Sequence, residues 1–281
     1  MAAFETPEPI TATIDVVVGD VRISAGDREA TIIDVNPSDA SDQEDVKAAQ
    51  LTRVEYGDGQ LLVKAPRLGS WLSRRDGGSI DVTIELPAGS QVRGTGQSAD
   101  FSCDGRLGDC RIKTGIGVIR VERADALSLK CGIGDVSVDR ATEHAEVTVA
   151  SGDVRVRELD AGAVVKTSNG DAWIGDAGGD VRLSGANGSL AVDVAHAGVV
   201  AKSVKGDVRL AEVARGTVVL ETRLGDVEVG IRKGTAAWLD VRAAAGRIHS
   251  ALDAAEAPEP SAETVEVRAR TSAGSVVIRR A

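Results

Sequence analysis

The sequence predicts an all-β protein: a parallel β-solenoid of about 18-residue coils with an N-terminal β-rich cap. Three observations carry that prediction. Marker glycines fall at Gly117, Gly134, Gly152, Gly170, Gly188, Gly206, Gly225 and Gly246, in steps of 17, 18, 18, 18, 18, 19 and 21. On both sides of each glycine apolar and polar residues alternate, which is the period of a strand and not of a helix. The composition agrees, because 32 glycines and aromatics at only 2% leave an apolar fraction of Val, Ile, Leu and Ala suited to strands and tight turns.

Residues 1–80 fall outside the period. They read as short strands (TATIDVVV, DVRISA, EATIIDV, TRVEY, QLLVKA) broken by SDQEDVKAAQ, where Ser41 and Glu44 have capping-box spacing for a brief helix. The first coil of a solenoid exposes an open edge unless something covers it. Residues 1–80 are therefore expected to form a β-rich cap continuous with the stack, and residues 81–281 the repeats.

From Val82, Ile84 and Leu86 onward the phase holds. The second and fourth residues after each glycine are apolar, as in Val154/Val156, Ala172/Ile174, Leu190/Val192 and Val208/Leu210. A second alternating set lies seven, five and three residues before it, as in Ala163/Val165/Thr167 and Val199/Ala201/Ser203. Between them stand Glu146, Lys166, Arg182 and Lys202, so one side of each strand is wet. Each unit is thus two strands and two turns, and only stacking of copies about 4.7–4.9 Å apart buries the dry side. A weaker copy, AGSVVIRR, ends the sequence, with Gly274 displaced by a loop insertion over 251–264. A left-handed hexapeptide helix is excluded, since stepping by six from Val154 meets Asp160 and Lys166.

With FETPEPI near the start, VTIELPAGS leading into the repeats, the recurring Gly-Asp-Val units and the closing TSAGSVVIRRA, nearly the whole chain resembles the bacterial β-strand-repeat family of unknown function labelled "putative adhesin". The resemblance implies a β-solenoid and no established catalysis.

A formal net charge of -10 repels phosphate backbones and anionic lipid surfaces, so neither nucleic-acid binding nor membrane insertion is expected. The first residues, MAAFETPEPITATIDVVVGD, lack a basic stretch followed by an apolar one, and no apolar run approaches the roughly 18 residues of a membrane span. The expectation is a soluble, cytoplasmic chain. Cys103, Cys110 and Cys131 form an odd set without a CxxC pair, which suits a reducing compartment, and all three occupy inward columns. His144, His196 and His249 fall in different columns and form no cluster. With no phosphate loop, GxSxG or HExxH, no catalytic residue, metal or cofactor is assigned, and the chain is expected not to be an enzyme.

Two columns remain. Asp135, Asp153, Asp171, Asp207 and Asp226 each follow a marker glycine, with Ser189 interrupting the series. Stacked about 4.8 Å apart, neighbouring carboxylates repel by about 1 kcal/mol in bulk water, so either cations or hydrogen bonds must offset them. The expectation is that each Asp accepts from the amides of its own turn. Three residues after each glycine, pointing outward beside the Asp series, the chain places Ser137, Arg155, Trp173, Ala191, Arg209, Glu228 and His249. Trp173, Arg155, Arg209, Asp153 and Asp171 are the candidate binding residues, since Trp and Arg dominate recognition sites; the competing reading packs Trp173 against Arg155 as a cation–π pair.

The function expected is a non-enzymatic, adhesin-like interaction module for an unknown protein partner. Its rivals are a self-assembling scaffold resembling the bactofilins and a β-helix enzyme that processes polysaccharide. Arg279 and Arg280, taken as the exposed end of the stack, oppose the scaffold, and the scarcity of aromatics for sugar stacking opposes the enzyme.

Overall fold

The computed structural model describes residues 1–67, 78–252 and 263–281. The chain divides into two compact units, Met1–Asp139 and Arg140–Ala281.

The first unit contains β1 (Ala2–Glu5), β2 (Thr11–Gly26), β3 (Ala30–Pro37), α1 (Gln43–Leu51), β4 (Arg53–Gly57), β5 (Gln60–Lys64), β6 (Ile80–Pro87), β7 (Gln91–Ile116) and β8 (Ile119–Ile133). TATIDVVV and DVRISA form the single long strand β2, whose Ala12, Ile14, Val16, Val21 and Ile23 are all buried. Parallel pairing starts there, inside the span expected as cap: Thr11 is opposite Gln91 and Ala25 opposite Gly105 on β7. Gly19-Asp20-Val21 is therefore one more marker, with Gly19 at φ +138° like the later ones. The period misses it because residues 27–79 interrupt the chain before the next coil.

That excursion supplies antiparallel strands. β3 pairs antiparallel with β1 and with β6, and β4 pairs antiparallel with β5. The rings of Phe4 and Tyr56, on β1 and β4, meet with centroids 5.1 Å apart. Helix α1 lies against β3 and β6. Its N-cap is Asp42, whose carboxylate accepts from the Glu44 amide at 2.8 Å, and not the Ser41 expected. Ser41 turns back to Asp39 instead, its hydroxyl donating at 2.7 Å. Asp45 anchors the helix by accepting from the Asp39 and Ser79 amides at 3.0 and 2.6 Å.

After β9 (Val136–Ala141), the second unit is a run of short strands: β10 (Ala145–Ser151), β11 (Val154–Leu159), β12 (Ala163–Asn169), β13 (Ala172–Ala177), β14 (Val181–Asn187), β15 (Leu190–Ala195), β16 (Val199–Lys205), β17 (Val208–Val213), β18 (Gly216–Leu224), β19 (Val227–Ile231), β20 (Ala236–Ala245), β21 (Ile248–Ser250), β22 (Thr264–Ala273) and β23 (Val276–Arg280). Even-numbered strands stack in one parallel ladder and odd-numbered strands in another. Their inward residues form continuous columns. Val147, Val165, Leu183, Ala201 and Leu220 stand one above the other, as do Val156, Ile174, Val192, Leu210 and Val229, all buried. The solenoid of the sequence is the solenoid of the structure.

The order of coils at the end of this unit departs from chain order. β18 pairs with β22 and β22 with β20; β19 pairs with β23 and β23 with β21. The final coil, β22–β23, therefore slots between β18–β19 and β20–β21. The order shows in burial: Val265, Val267, Ala269, Val276 and Ile278 are buried, whereas Leu239 and Val241 of β20 are only half-buried and Ile248 and Ser250 of β21 are exposed. Ser250 of the outer coil stands opposite Ile278 of the inner one, so this order buries the isoleucine and leaves the hydroxyl in water. Arg279 and Arg280 are consequently not the end of the stack. Arg279 bonds Glu228 at 2.7 Å, and Arg280 donates to the Thr235 carbonyl at 2.9 Å. Most of the expected insertion 251–264 lies outside the described residues.

Candidate functional site: the outward face around Trp173

Arg155, Trp173 and Arg209 sit on β11, β13 and β17, held at fixed spacing by the parallel register, and Asp153 and Asp171 immediately precede the first two strands. Arg155 is opposite Trp173, Trp173 opposite Ala191, and Ala191 opposite Arg209. The turn preceding each strand needs glycine. At Gly170, φ is +134°, and a Cβ there would lie 2.1 Å from the Gly152 carbonyl oxygen of the coil below. Only glycine tolerates both.

That turn aims the next amide along the stack at the carboxylate of the neighbouring coil. Asp153 accepts from the Asp171 amide at 2.9 Å, Asp171 from the Ser189 amide at 2.7 Å, Asp207 from the Asp226 amide at 2.8 Å and Asp226 from the Ser275 amide at 2.7 Å. In the first unit Asp100 accepts from the Val118 amide at 2.7 Å. The expectation of satisfaction within each Asp's own turn is thus corrected: the bonds run between coils, because the positive-φ glycine rotates the following N–H out of its own turn. Each charge-assisted bond offsets the repulsion between stacked carboxylates. Among the described residues no cluster of three or more His, Cys, Asp or Glu is arranged to hold a metal ion.

A second inter-coil ladder escaped the sequence reading. Three residues before the marker glycine, Ser203, Thr222 and Thr271 donate to the carbonyls of Gly188, Gly206 and Gly225 at 3.3, 2.9 and 2.9 Å. Cys131 occupies the same place and donates its thiol proton to the Gly117 carbonyl at 3.2 Å. The recurrence of small hydroxyl residues at that offset was the available signal.

All three cysteines are buried free thiols. The hydrogen bond with Cys110, followed by burial, pushes the Cys103 thiol well above its ordinary value of 9.0. Burial, followed by the nearby Asp135 and Asp100 charges, raises Cys131. With their thiols raised and enclosed, Cys103 and Cys131 are poor nucleophiles. Of the histidines, His196 pairs with Asp176 at 3.1 Å, and His144 and His249 are exposed.

Trp173 points outward but is half-buried, not open to water as its column suggested. Its indole Nε1–H donates to Asp193 at 3.1 Å, and its ring lies over Gly175, where a Cβ would meet the ring carbon Cη2 at 3.1 Å. The absent side chain at position 175 is what lets the indole lie flat. Beside the ring opens a shallow groove of about 450 Å³, into which Asp153, Arg155, Asp171 and Trp173 face together with Ser189 and Ala191. Four of the five candidates therefore converge. Arg209 stands two coils beyond Trp173, across Ala191, and pairs with Glu228 at 3.6 Å.

The family model described as Toastrack DUF4097 matches residues 11–279. The chain belongs to that family. No curated protein matches this Toastrack chain. Among solved structures it is similar to a "putative adhesin" from Parabacteroides merdae, at 13% identity over 82% of this chain and 94% of that one, with a TM-score of 0.48. A "putative adhesin" from Bacteroides fragilis has 10% identity over 99% and 95% of the two chains, with a TM-score of 0.34. A "putative cell adhesion protein" from Clostridium sporogenes has 12% identity over 100% and 98%, with a TM-score of 0.22. The word adhesin belongs to those proteins. Among the described residues of this Toastrack chain, no helix is long and apolar enough to cross a membrane.

Proposed function

We propose that this chain is a non-enzymatic binding module, and that the groove beside Trp173 is where a protein partner docks. One observation supports the reading most: a large aromatic is fixed flat on an outward sheet face, by Asp193 and the bare backbone of Gly175, at the edge of a groove with charges of both signs. An indole immobilised before binding loses little rotamer freedom on binding, which favours affinity. Burial of all three thiols, with those of Cys103 and Cys131 raised, supports the absence of cysteine catalysis and suits a reducing, cytoplasmic setting.

The test uses the full chain as bait against host lysate, comparing wild type with Trp173→Ala and Ala191→Trp, the second filling the groove without removing the indole. A specific partner should be held by wild type and lost from both variants. Trp173→Ala is expected to cost about 2 kcal/mol or more in binding and about 1 kcal/mol in stability, from one hydrogen bond. Equal capture by all three baits refutes the reading.

A further inference from the structure

The outermost coil of the second unit, β20–β21, pairs on one side only among the described residues: β20 with β22 and β21 with β23. An inner strand has partners on both sides. β20 thus presents ten residues of backbone, Ala236–Ala245, with about half of its N–H and C=O groups directed away from the stack. Its guards are few: it has the charges of Asp240 and Arg242, which are of opposite sign, but no proline, no lysine and no register shift against β22. The dry side is equally unfinished. Leu239 and Val241 stand above Val267 and Ala269, continue the buried column and are themselves half-exposed. On the outward side Trp238 is 81% exposed.

We propose that this edge binds the same edge of a second copy of the chain, β20 pairing antiparallel with its symmetry mate about a two-fold axis through Val241. The strand's own sequence selects that occupant and that register. Centred on Val241, Asp240 of each copy stands opposite Arg242 of the other, giving two equivalent cross-strand ion pairs on the outward side. Leu239 faces Ala243, Val241 faces Val241, and Trp238 faces Ala244, so large residues meet small ones and the dry side runs on from one copy to the next. The neighbouring same-face registers fail. Centring on Asp240 opposes Asp240 to itself, and centring on Arg242 opposes Arg242 to itself, both like-charge contacts that destabilise a sheet. Registers between these put inward residues opposite outward ones. A strand that is self-complementary in one antiparallel register is what an isologous two-fold contact requires. Within each copy Asp240 already bonds Arg270 at 2.8 Å and Arg242 at 3.3 Å. The outward end of the coil is therefore ordered before it meets its mate. Because the contact consumes this edge in both partners, it yields a closed pair and not a filament.

Sedimentation of the full chain over a concentration series tests this. Wild type should reach twice the 29.0 kDa chain mass. Arg242→Asp opposes four carboxylates across the seam and Asp240→Arg opposes four guanidinium groups, so each variant alone should dimerise about tenfold or more weaker. An equimolar mixture of the two restores opposite charges at every position and should regain the dimer as a heterodimer. A wild-type monomer across the micromolar range, variants that dimerise as wild type does, or a mixture that stays monomeric each overturns the proposal. Should a variant fold poorly, wild type alone decides: amide exchange in β20 should slow as concentration rises. Exchange that ignores concentration refutes the pairing, whether the edge is bare or covered by the chain itself.

Discussion

At Cys103 the environment decides chemistry. A thiol enclosed in the core and hydrogen-bonded to Cys110 resists losing its proton, so its folded value lies above 9.0 while the unfolded chain keeps an ordinary one. With the folded value raised, the stability it contributes is complete below about pH 9 and is lost progressively above it. Cys103→Ala gives up about 1 kcal/mol of packing at every pH but escapes that loss. The melting-temperature gap between wild type and Cys103→Ala should therefore narrow as pH rises from 8 to 10.5. A constant gap would show that Cys103 titrates normally. Trp173 gives the converse lesson: its column marked it as outward, but the half-burial comes from Gly175, which the column pattern does not weigh.

At the scale of a turn and its two strands, the Gly-Asp step links coils. The glycine sets the direction of an amide and the Asp of the preceding coil receives it, as in Asp171 with the Ser189 amide at 2.7 Å. Asp171→Ala leaves that amide to water and should cost about 1 kcal/mol, while Asp171→Asn keeps an oxygen acceptor and should cost less. Millimolar calcium should shift neither the wild type nor the variants, because a ligand stabilises only by preferring the folded state. Chemical denaturation with and without calcium measures both. Equal cost for Ala and Asn would remove the ladder from the account, and a saturable calcium stabilisation would replace it with a cation site.

For the molecule as a whole, the order of coils in the second unit makes truncation informative. If coils stacked in chain order, deleting residues 264–281 would strip one outer coil at modest cost. Since β22–β23 lies inside, the deletion severs β20–β21 from the strands it pairs with among the described residues and uncovers Val218, Leu220, Val227 and Val229. Repeat proteins gain stability from each interface between neighbours, and here two interfaces disappear with one coil. Thermal unfolding of the truncated chain should show loss of more than a single repeat's worth of stability. A melting temperature close to wild type would contradict the interleaved order.

The sequence by itself determined the repeat, its two strands per coil and which side of each strand is dry, because those follow from period-two alternation and glycine spacing, which are local. Val165 buried beside half-exposed Val164 is legible from ten residues of chain. It also brought Asp153, Arg155, Asp171 and Trp173 onto one face, since a parallel register converts equal offsets into neighbours. Three things awaited the tertiary structure. The Gly19 unit was hidden because an excursion through β3, α1, β4 and β5 separates it from its stack neighbour. The recipient of each Asp was hidden because hydrogen-bond direction depends on a backbone rotation that residue type permits but does not aim. The exchange of the last two coils was hidden because equal repeats satisfy the same register in either order. What separates them is which residues are left on the outside, Ser250 in place of Ile278 among them, and that is settled by the whole stack at once.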